Sequence, residues 1–257
     1  MTSPAFGWRG CENGVILSDD LAIAAIGNFG HCTAIQWSQE LFDDGLGKNN
    51  NIWWPAFDSR LHRGPLSQMS FDQAYDKLVN FWVSMLSEIY GTMYLEYKPS
   101  VPGQLDWLPT MKAAINFCTE VNTRLGRQAI LVNLEWAHAL IGGQTVEAAT
   151  KMQVEAGLFG GFVHVNSAEL ACVKWDESGT IILSGSPGDD ADWAVGEGDR
   201  ERWNDQCKAV TILDELSVNI TAEHDIDPAG EDPMECYARS RGNLQTMIEI
   251  ARIGTKP

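Results

Sequence analysis

The pattern of apolar and polar positions is clearest between residues 130 and 166. Residues 130–134 form a short apolar run, residues 144–156 place apolar side chains at helical spacing, and the apolar residues 162 and 163 follow two glycines and lead into a histidine at 164. Short apolar runs favour strands, whereas a period of about 3.6 residues favours a helix. The order strand, helix, strand predicts one βαβ unit, whose two strands are parallel.

The same periods predict elements along most of the chain. Helices are predicted over residues 21–30, 70–89, 111–125, 144–156, 200–215 and 233–253. Parallel strands are predicted near residues 33, 92, 130, 161 and 218, and a β-hairpin of residues 171–175 with 180–183 is predicted as an insertion. Strands that alternate with helices predict an α/β fold of the (β/α)8 TIM-barrel type, which assembles sites from the ends of its strands. We expect residues 1–257 to form a single domain.

Charge and composition narrow the possible functions. The chain has 18 Lys and Arg against 35 Asp and Glu, and its net charge of -17 disfavours binding to nucleic acid and to anionic membranes. It has no run of 18 apolar residues and no signal peptide, and its six cysteines are scattered with no CxxC pair. We therefore expect a cytoplasmic protein with reduced thiols that binds neutral ligands or cations.

Polar side chains that can bind a metal follow several predicted strands. Glu135 and His138 come after the strand near 130, His164 ends the next strand, and Glu96 ends the strand near 92. A single acid or histidine at such a position is more often an ordinary surface residue. Recurrence at successive strand ends favours a shared site, because crowded carboxylates repel one another unless a cation lies among them. Carboxylates combined with imidazoles indicate Mg²⁺, Mn²⁺ or Co²⁺.

Two further ligand positions have competing candidates. Either Glu223 or Asp225 could serve at the end of the strand near 218. Asp190 and Asp192 are two residues apart, so in an extended segment both carboxylates project to the same side and can reach one ion. The competing candidate is Asp176, whose alternative role is to cap the turn of the predicted hairpin. We favour the pair Asp190 and Asp192.

Four motifs resemble the metal-dependent aldose–ketose isomerases, which include xylose isomerase and L-rhamnose isomerase. They are LEYKP at 95–99, NLEWAHALIGGQTVEAA at 133–149, GLFGGFVHVN at 157–166 and DDADWAVG at 189–196. The resemblance implies a (β/α)8 barrel with two divalent ions, Mn²⁺, Mg²⁺ or Co²⁺, at its mouth. The last motif is more similar to L-rhamnose isomerase. The five predicted strands match the last five of eight, so we expect a partial barrel that belongs to a longer product or is completed by a second chain.

The resemblance also implies roles for individual residues. The implied ligands of the first ion are Glu96, Glu135, His164 and Asp225. The implied ligands of the second ion are Glu135, which bridges, His138, Asp190 and Asp192. The implied catalytic set is Lys98, Glu135 and His138, with Lys98 hydrogen-bonded to a substrate oxygen. Trp37, at the end of the strand predicted over residues 33–37, is a candidate substrate contact together with Lys98.

These observations lead to one main hypothesis and two alternatives. The main hypothesis is an aldose–ketose isomerase that shifts a hydride between C1 and C2 of an open-chain monosaccharide and works as a homo-oligomer, a dimer or tetramer. A sugar epimerase of the same superfamily is one alternative. A non-catalytic sugar- or metal-binding protein is the other, because three strands of the barrel have no counterpart in the sequence. The net charge of -17 disfavours an endonuclease-like phosphodiesterase.

Overall fold

A computed structural model describes most of the chain. The described residues are 15–18, 20–44, 51–55, 70–88, 91–101, 104–105, 108–160, 162–168, 173–175, 181–183, 194–216, 219–222 and 232–254. The chain divides into two compact units, one of residues 1–98 with 105–133 and one of residues 99–104 with 134–257.

Helices and strands alternate along the described residues. The helices are α1 (Leu21–Asp43), α2 (Phe71–Glu88), α3 (Met111–Leu125), α4 (Trp136–Ile141), α5 (Val146–Glu155), α6 (Arg200–Glu215) and α7 (Pro233–Gly254). The strands are β1 (Asn51–Trp53), β2 (Met93–Glu96), β3 (Ser100–Val101), β4 (Gln104–Leu105), β5 (Ile130–Asn133), β6 (Phe162–Val165), β7 (Val173–Trp175), β8 (Ile181–Leu183) and β9 (Asn219–Ala222). None of the described helices is long and apolar enough to span a membrane.

The first unit is built on a parallel sheet in the order β1-β2-β5. Every residue of β2 and β5 is buried, which is typical of parallel strands covered on both faces. The register pairs Leu95 with Val132 and Glu96 with Asn133, so β2 and β5 end side by side. Helices α2 and α3 pack together, and the Trp53 ring lies 4.8 Å from the Trp82 ring between their centroids. Such large buried aromatic side chains contribute strongly to the core.

Helix α3 confirms the bounds that its sequence pattern predicted. It begins because Thr110 has extended backbone angles and its side chain accepts a hydrogen bond from the Ala113 N–H. It ends at Gly126, whose φ of 67° is left-handed and favours glycine. The buried face of the helix, which includes Ala114 and Phe117, carries the apolar period.

The strand predicted over residues 33–37 is wrong. These residues lie inside α1, which the sequence pattern ended too early, at residue 30. Gly27, His31, Ile35 and Ser38 are all buried, and their spacing of three to four residues is that of a helix. Five residues with mixed periodicity are too few to separate a strand from a helix. The first parallel strand is β1, which pairs with β2.

The second unit contains the parallel pair β6-β9 and the antiparallel pair β7-β8. The β7-β8 pair confirms the predicted hairpin, with Val173 opposite Leu183. Helix α6 has its predicted bounds, and it packs against both α5 and α7. Asp205 of α6 accepts hydrogen bonds from Val146 N–H at 2.7 Å and Glu147 N–H at 3.0 Å, which satisfies two free donors at the start of α5. Helix α4 was not predicted.

Candidate functional site

Glu96 is the last residue of β2 and is fully buried. Its Oε1 accepts a hydrogen bond from the indole N–H of Trp54, which follows β1, and its Oε2 accepts one from the amide Nδ2 of Asn133, which ends β5. The strands on both sides of β2 therefore each supply a donor to this carboxylate. Both donors are neutral, so they stabilise the anion without balancing its charge.

Glu135 lies two residues beyond the end of β5, in the second unit, and is 3% exposed. Its backbone is extended, with φ -104° and ψ 128°, at the position that precedes α4. Its Oε1 accepts a hydrogen bond of 2.9 Å from Asn166 Nδ2, and its Oε2 lies 3.2 Å from His138 Nδ1. The first turn of α4 places His138 three residues on, where side chains share a helix face. A buried carboxylate and a buried imidazole are therefore in contact.

His164 is the third residue of β6 and is half-buried. Its backbone N–H donates a hydrogen bond of 3.0 Å to the backbone oxygen of Leu134. An isolated parallel bridge pairs His164 with Glu135. Paired residues on neighbouring strands project to the same face of a sheet. The predicted imidazole thus lies beside Glu135, within the strand rather than after its end.

Asn166 contacts the candidate site through Glu135, and sequence reasoning did not assign it a role. It follows β6 and is fully buried. Both the oxygen and the nitrogen of its side-chain amide form hydrogen bonds. Oδ1 accepts from the Ala137 N–H at 2.7 Å, while Nδ2 donates to Glu135. Asn133 and Asn166 therefore repeat one arrangement, in which an asparagine at or directly after the end of one strand donates a hydrogen bond to a glutamate at or near the end of an earlier strand. The only signal in the sequence was that both asparagines stand at strand ends, as the two glutamates do. This signal is weak, because asparagine is common at strand ends as a residue that favours turns.

The donor atoms of the second unit fit a divalent cation. Glu135 and His138 are both less than 4% exposed, and a carboxylate held away from water requires hydrogen bonds or a compensating charge. The carboxylate oxygens of Glu135 and the imidazole nitrogens of His138 are ligand types that suit Mn²⁺, Mg²⁺ or Co²⁺, and His164 on the neighbouring strand is predicted to add a second imidazole. A thiolate-rich site would instead have indicated a softer metal.

The other predicted residues are Lys98, Trp37 and the later strand-end acids. Lys98 is half-buried, two residues after Glu96 along the chain. Trp37 lies on α1 with 58% of its surface exposed, so the strand end that made it a candidate substrate contact does not exist. Asp190, Asp192 and Asp225, with the alternatives Asp176 and Glu223, lie outside the described residues.

The fold, but not the sequence, has matches among known proteins. No family model and no curated protein matches the chain. An L-ribulose 3-epimerase matches with a TM-score of 0.61 and 17% identity over 96% of this chain and 77% of its own. A 3-keto-D-glucoside 4-epimerase from E. coli, in its apo form, matches with a TM-score of 0.60 and 15% identity over 91% and 76%.

A third match carries the fold name itself. It is a xylose isomerase-like TIM barrel protein from Mycobacterium smegmatis in complex with magnesium, with a TM-score of 0.52 and 12% identity over 90% of this chain and 70% of its own. Identities this low establish the fold alone, and particular closeness to L-rhamnose isomerase stays a prediction. The chain therefore has the fold of the xylose isomerase-like TIM barrels, the α/β fold that its four motifs predicted.

Proposed function

We propose that this protein is a metal-dependent enzyme that epimerises a monosaccharide at a carbon next to a carbonyl group. The observation that carries the proposal is the buried contact between Glu135 and His138, at 3.2 Å, beside a strand that presents His164. The proposal favours epimerisation over the aldose–ketose isomerisation that the motifs suggested. The reason is that two of the similar folds belong to proteins named as sugar epimerases.

In the proposal, Glu135, His138 and His164 hold one divalent ion. The resemblance implies two ions, one held by Glu96, Glu135, His164 and Asp225 and a second held by Glu135, His138, Asp190 and Asp192; these assignments stay predictions. A bound divalent ion supplies positive charge that acidifies the C–H next to the sugar carbonyl and stabilises the negative charge that develops on oxygen.

The protein's own groups then move the proton. Glu135 takes the proton from the carbon next to the carbonyl, and the electron pair of the broken C–H bond moves onto the carbonyl oxygen. A proton from solvent then adds to the opposite face of that carbon as the electron pair on oxygen re-forms the carbonyl, and this inverts the configuration of the carbon. The hydrogen bond from Asn166 to Oε1 fixes the direction of the Glu135 carboxylate, and Lys98 donates a hydrogen bond to a sugar oxygen.

Isotope transfer distinguishes epimerisation from isomerisation. The protein is loaded with Mn²⁺ and incubated in D₂O with L-ribulose, and in parallel with D-xylose and with L-rhamnose, and the products are followed by NMR. The proposal expects L-ribulose to convert to its C3 epimer with deuterium at C3, because the removed proton exchanges with solvent.

The other outcomes contradict the proposal in different ways. Conversion of an aldose to its ketose without deuterium would instead support the hydride-shift isomerase. Binding of Mn²⁺ and sugar with no turnover in any arm would support the non-catalytic alternative. A Glu135→Gln variant, assayed beside the parent, tests whether turnover depends on this carboxylate.

A further inference from the structure

We propose that Asn166 is a positioning residue: it supplies the cap for α4 that Glu135 would otherwise supply, and it thereby frees and orients the Glu135 carboxylate for metal binding. The inference rests on the metal centre of the proposed function. It assigns a role to a residue that neither touches the substrate nor ligates the ion, and it is carried by hydrogen bonds within the second unit alone.

Helix α4 has an unusual cap. Thr145 and Asp199 cap α5 and α6 with their own side chains, which accept hydrogen bonds from Ala148 and Arg202 N–H. Glu135 occupies the equivalent position before α4 with extended backbone angles, yet its side chain makes no capping hydrogen bond. A residue at this position normally turns its side-chain oxygen back onto the second or third N–H of the helix. In that conformation the carboxylate would face the helix end.

Asn166 makes that conformation unnecessary. Its Oδ1 accepts the hydrogen bond of Ala137 N–H at 2.7 Å, which satisfies a free donor of the first turn from a different strand. Its Nδ2 donates to Glu135 Oε1 at 2.9 Å, so the carboxylate is bonded to Asn166 and not to the N–H groups of the helix. The chemistry fixes the orientation of the amide, because the N–H of Ala137 needs an acceptor and the carboxylate needs a donor. One side chain therefore performs both tasks.

The asparagine is itself held in place. Gln206 of α6 is fully buried, its Nε2 donates to Asn166 O at 3.1 Å, and its Oε1 accepts from Gly196 N–H at 2.8 Å. Asn166 is fully buried as well, so neither amide has solvent to replace a lost partner. Positioning residues of this kind typically change metal affinity by about 10- to 100-fold when they are removed.

The test compares two cap deletions in the same unit. Asn166→Ala and Thr145→Ala each remove one capping side chain, Thr145 being the cap of α5 at 3.2 Å from Ala148 N. Mn²⁺ binding is measured by calorimetry, and thermal unfolding is followed without metal. We expect both variants to unfold at a lower temperature. Only Asn166→Ala should weaken Mn²⁺ binding, by about 10-fold or more, while Thr145→Ala should bind as the parent does.

A second variant keeps the inference testable if Asn166→Ala does not fold. Asn166→Ser retains a good capping oxygen, but one hydroxyl cannot occupy both positions of the amide, so it should also weaken Mn²⁺ binding by about 10-fold. Parent-like Mn²⁺ affinity in either folded Asn166 variant would overturn the inference and leave the proposed metal centre intact. A parent protein that binds no Mn²⁺ would overturn the proposed function, and the inference with it.

Discussion

Replacing Glu135 by glutamine changes the charge of the buried side chain but hardly its shape. The amide oxygen of the variant can still accept the hydrogen bond from Asn166 Nδ2. The new amide NH₂ takes the place of Oε2, which lies 3.2 Å from His138 Nδ1. The variant therefore isolates the effect of one buried negative charge.

The change in the free energy of unfolding can be estimated from the structure. Burial of a carboxylate costs several kcal/mol in a protein interior, and the charged hydrogen bond from Asn166 offsets about 1.5 to 3 kcal/mol of this. Because Glu135 is only 3% exposed, solvent does little to reduce the part of the burial cost that this hydrogen bond leaves. Without metal, we expect Glu135→Gln to be more stable than the parent by about 1 to 3 kcal/mol. Its unfolding temperature should rise by about 2 to 4 °C for each kcal/mol.

Added Mn²⁺ should stabilise the parent but not the variant. An ion present at 100 times its Kd stabilises a protein that binds it only when folded by about 2.7 kcal/mol, which raises the unfolding temperature of the parent by about 5 to 11 °C. The variant has lost its anionic ligand, so Mn²⁺ should leave its unfolding temperature unchanged. Differential scanning calorimetry with and without Mn²⁺ measures all four values.

Glu147→Gln is the matched control. It makes the same chemical change in the same unit, at a partly exposed carboxylate whose pKa is lowered by hydrogen bonds from Lys151 and then Lys208. Such surface pairs contribute at most about 1 kcal/mol, and the control should gain as much from Mn²⁺ as the parent does. A Glu135→Gln variant that is less stable without metal and gains the parental increment from Mn²⁺ would refute the reasoning.

Three further predictions test separate parts of the account. Lys98→Met should keep the Mn²⁺ affinity of the parent and lose turnover, as measured by calorimetry and by product formation; parental turnover would remove Lys98 from the site. Gly196→Ala should destabilise far more than Gly126→Ala in urea unfolding, because both glycines have positive φ but only the new Cβ at Gly196 would clash with the Trp203 ring; the strain common to both is about 1 to 2 kcal/mol. Complete burial raises the pKa of the Cys118 thiol, so iodoacetamide at pH 8 should label Cys118 only after denaturation, as read by mass spectrometry, and labelling of the native protein would contradict its burial.

Long amphipathic helices could be predicted closely from the sequence, whereas short elements could not. Helices α3 and α6 have their predicted bounds because each begins at a side-chain cap, Thr110 or Asp199, and sustains a 3.6-residue period. Strand β1 has three residues, too few to show any period, and so the preceding apolar segment around Ile35 was mistaken for the first strand. Tertiary contacts, not local pattern, decide such elements.

The residues of the candidate site could likewise be predicted only in part. Glu135 and His138 could be predicted because a carboxylate and an imidazole three residues apart after an apolar run form a pattern with chemical meaning. The asparagines that hold the two glutamates could not, because their role depends on which strand lies beside which. Register is a property of the folded sheet, and the pairing of Glu96 with Asn133 supplies it.

The central claim is that Glu135, His138 and His164 form a divalent metal centre, and a crystal structure of the protein with Mn²⁺ tests it most directly. Anomalous scattering from manganese locates the ion independently of the chain. The account predicts a strong peak within direct bonding distance of a Glu135 carboxylate oxygen and of an imidazole nitrogen of His138 or His164. Manganese found only at exposed acidic side chains, with these three residues arranged around no ion, would contradict it.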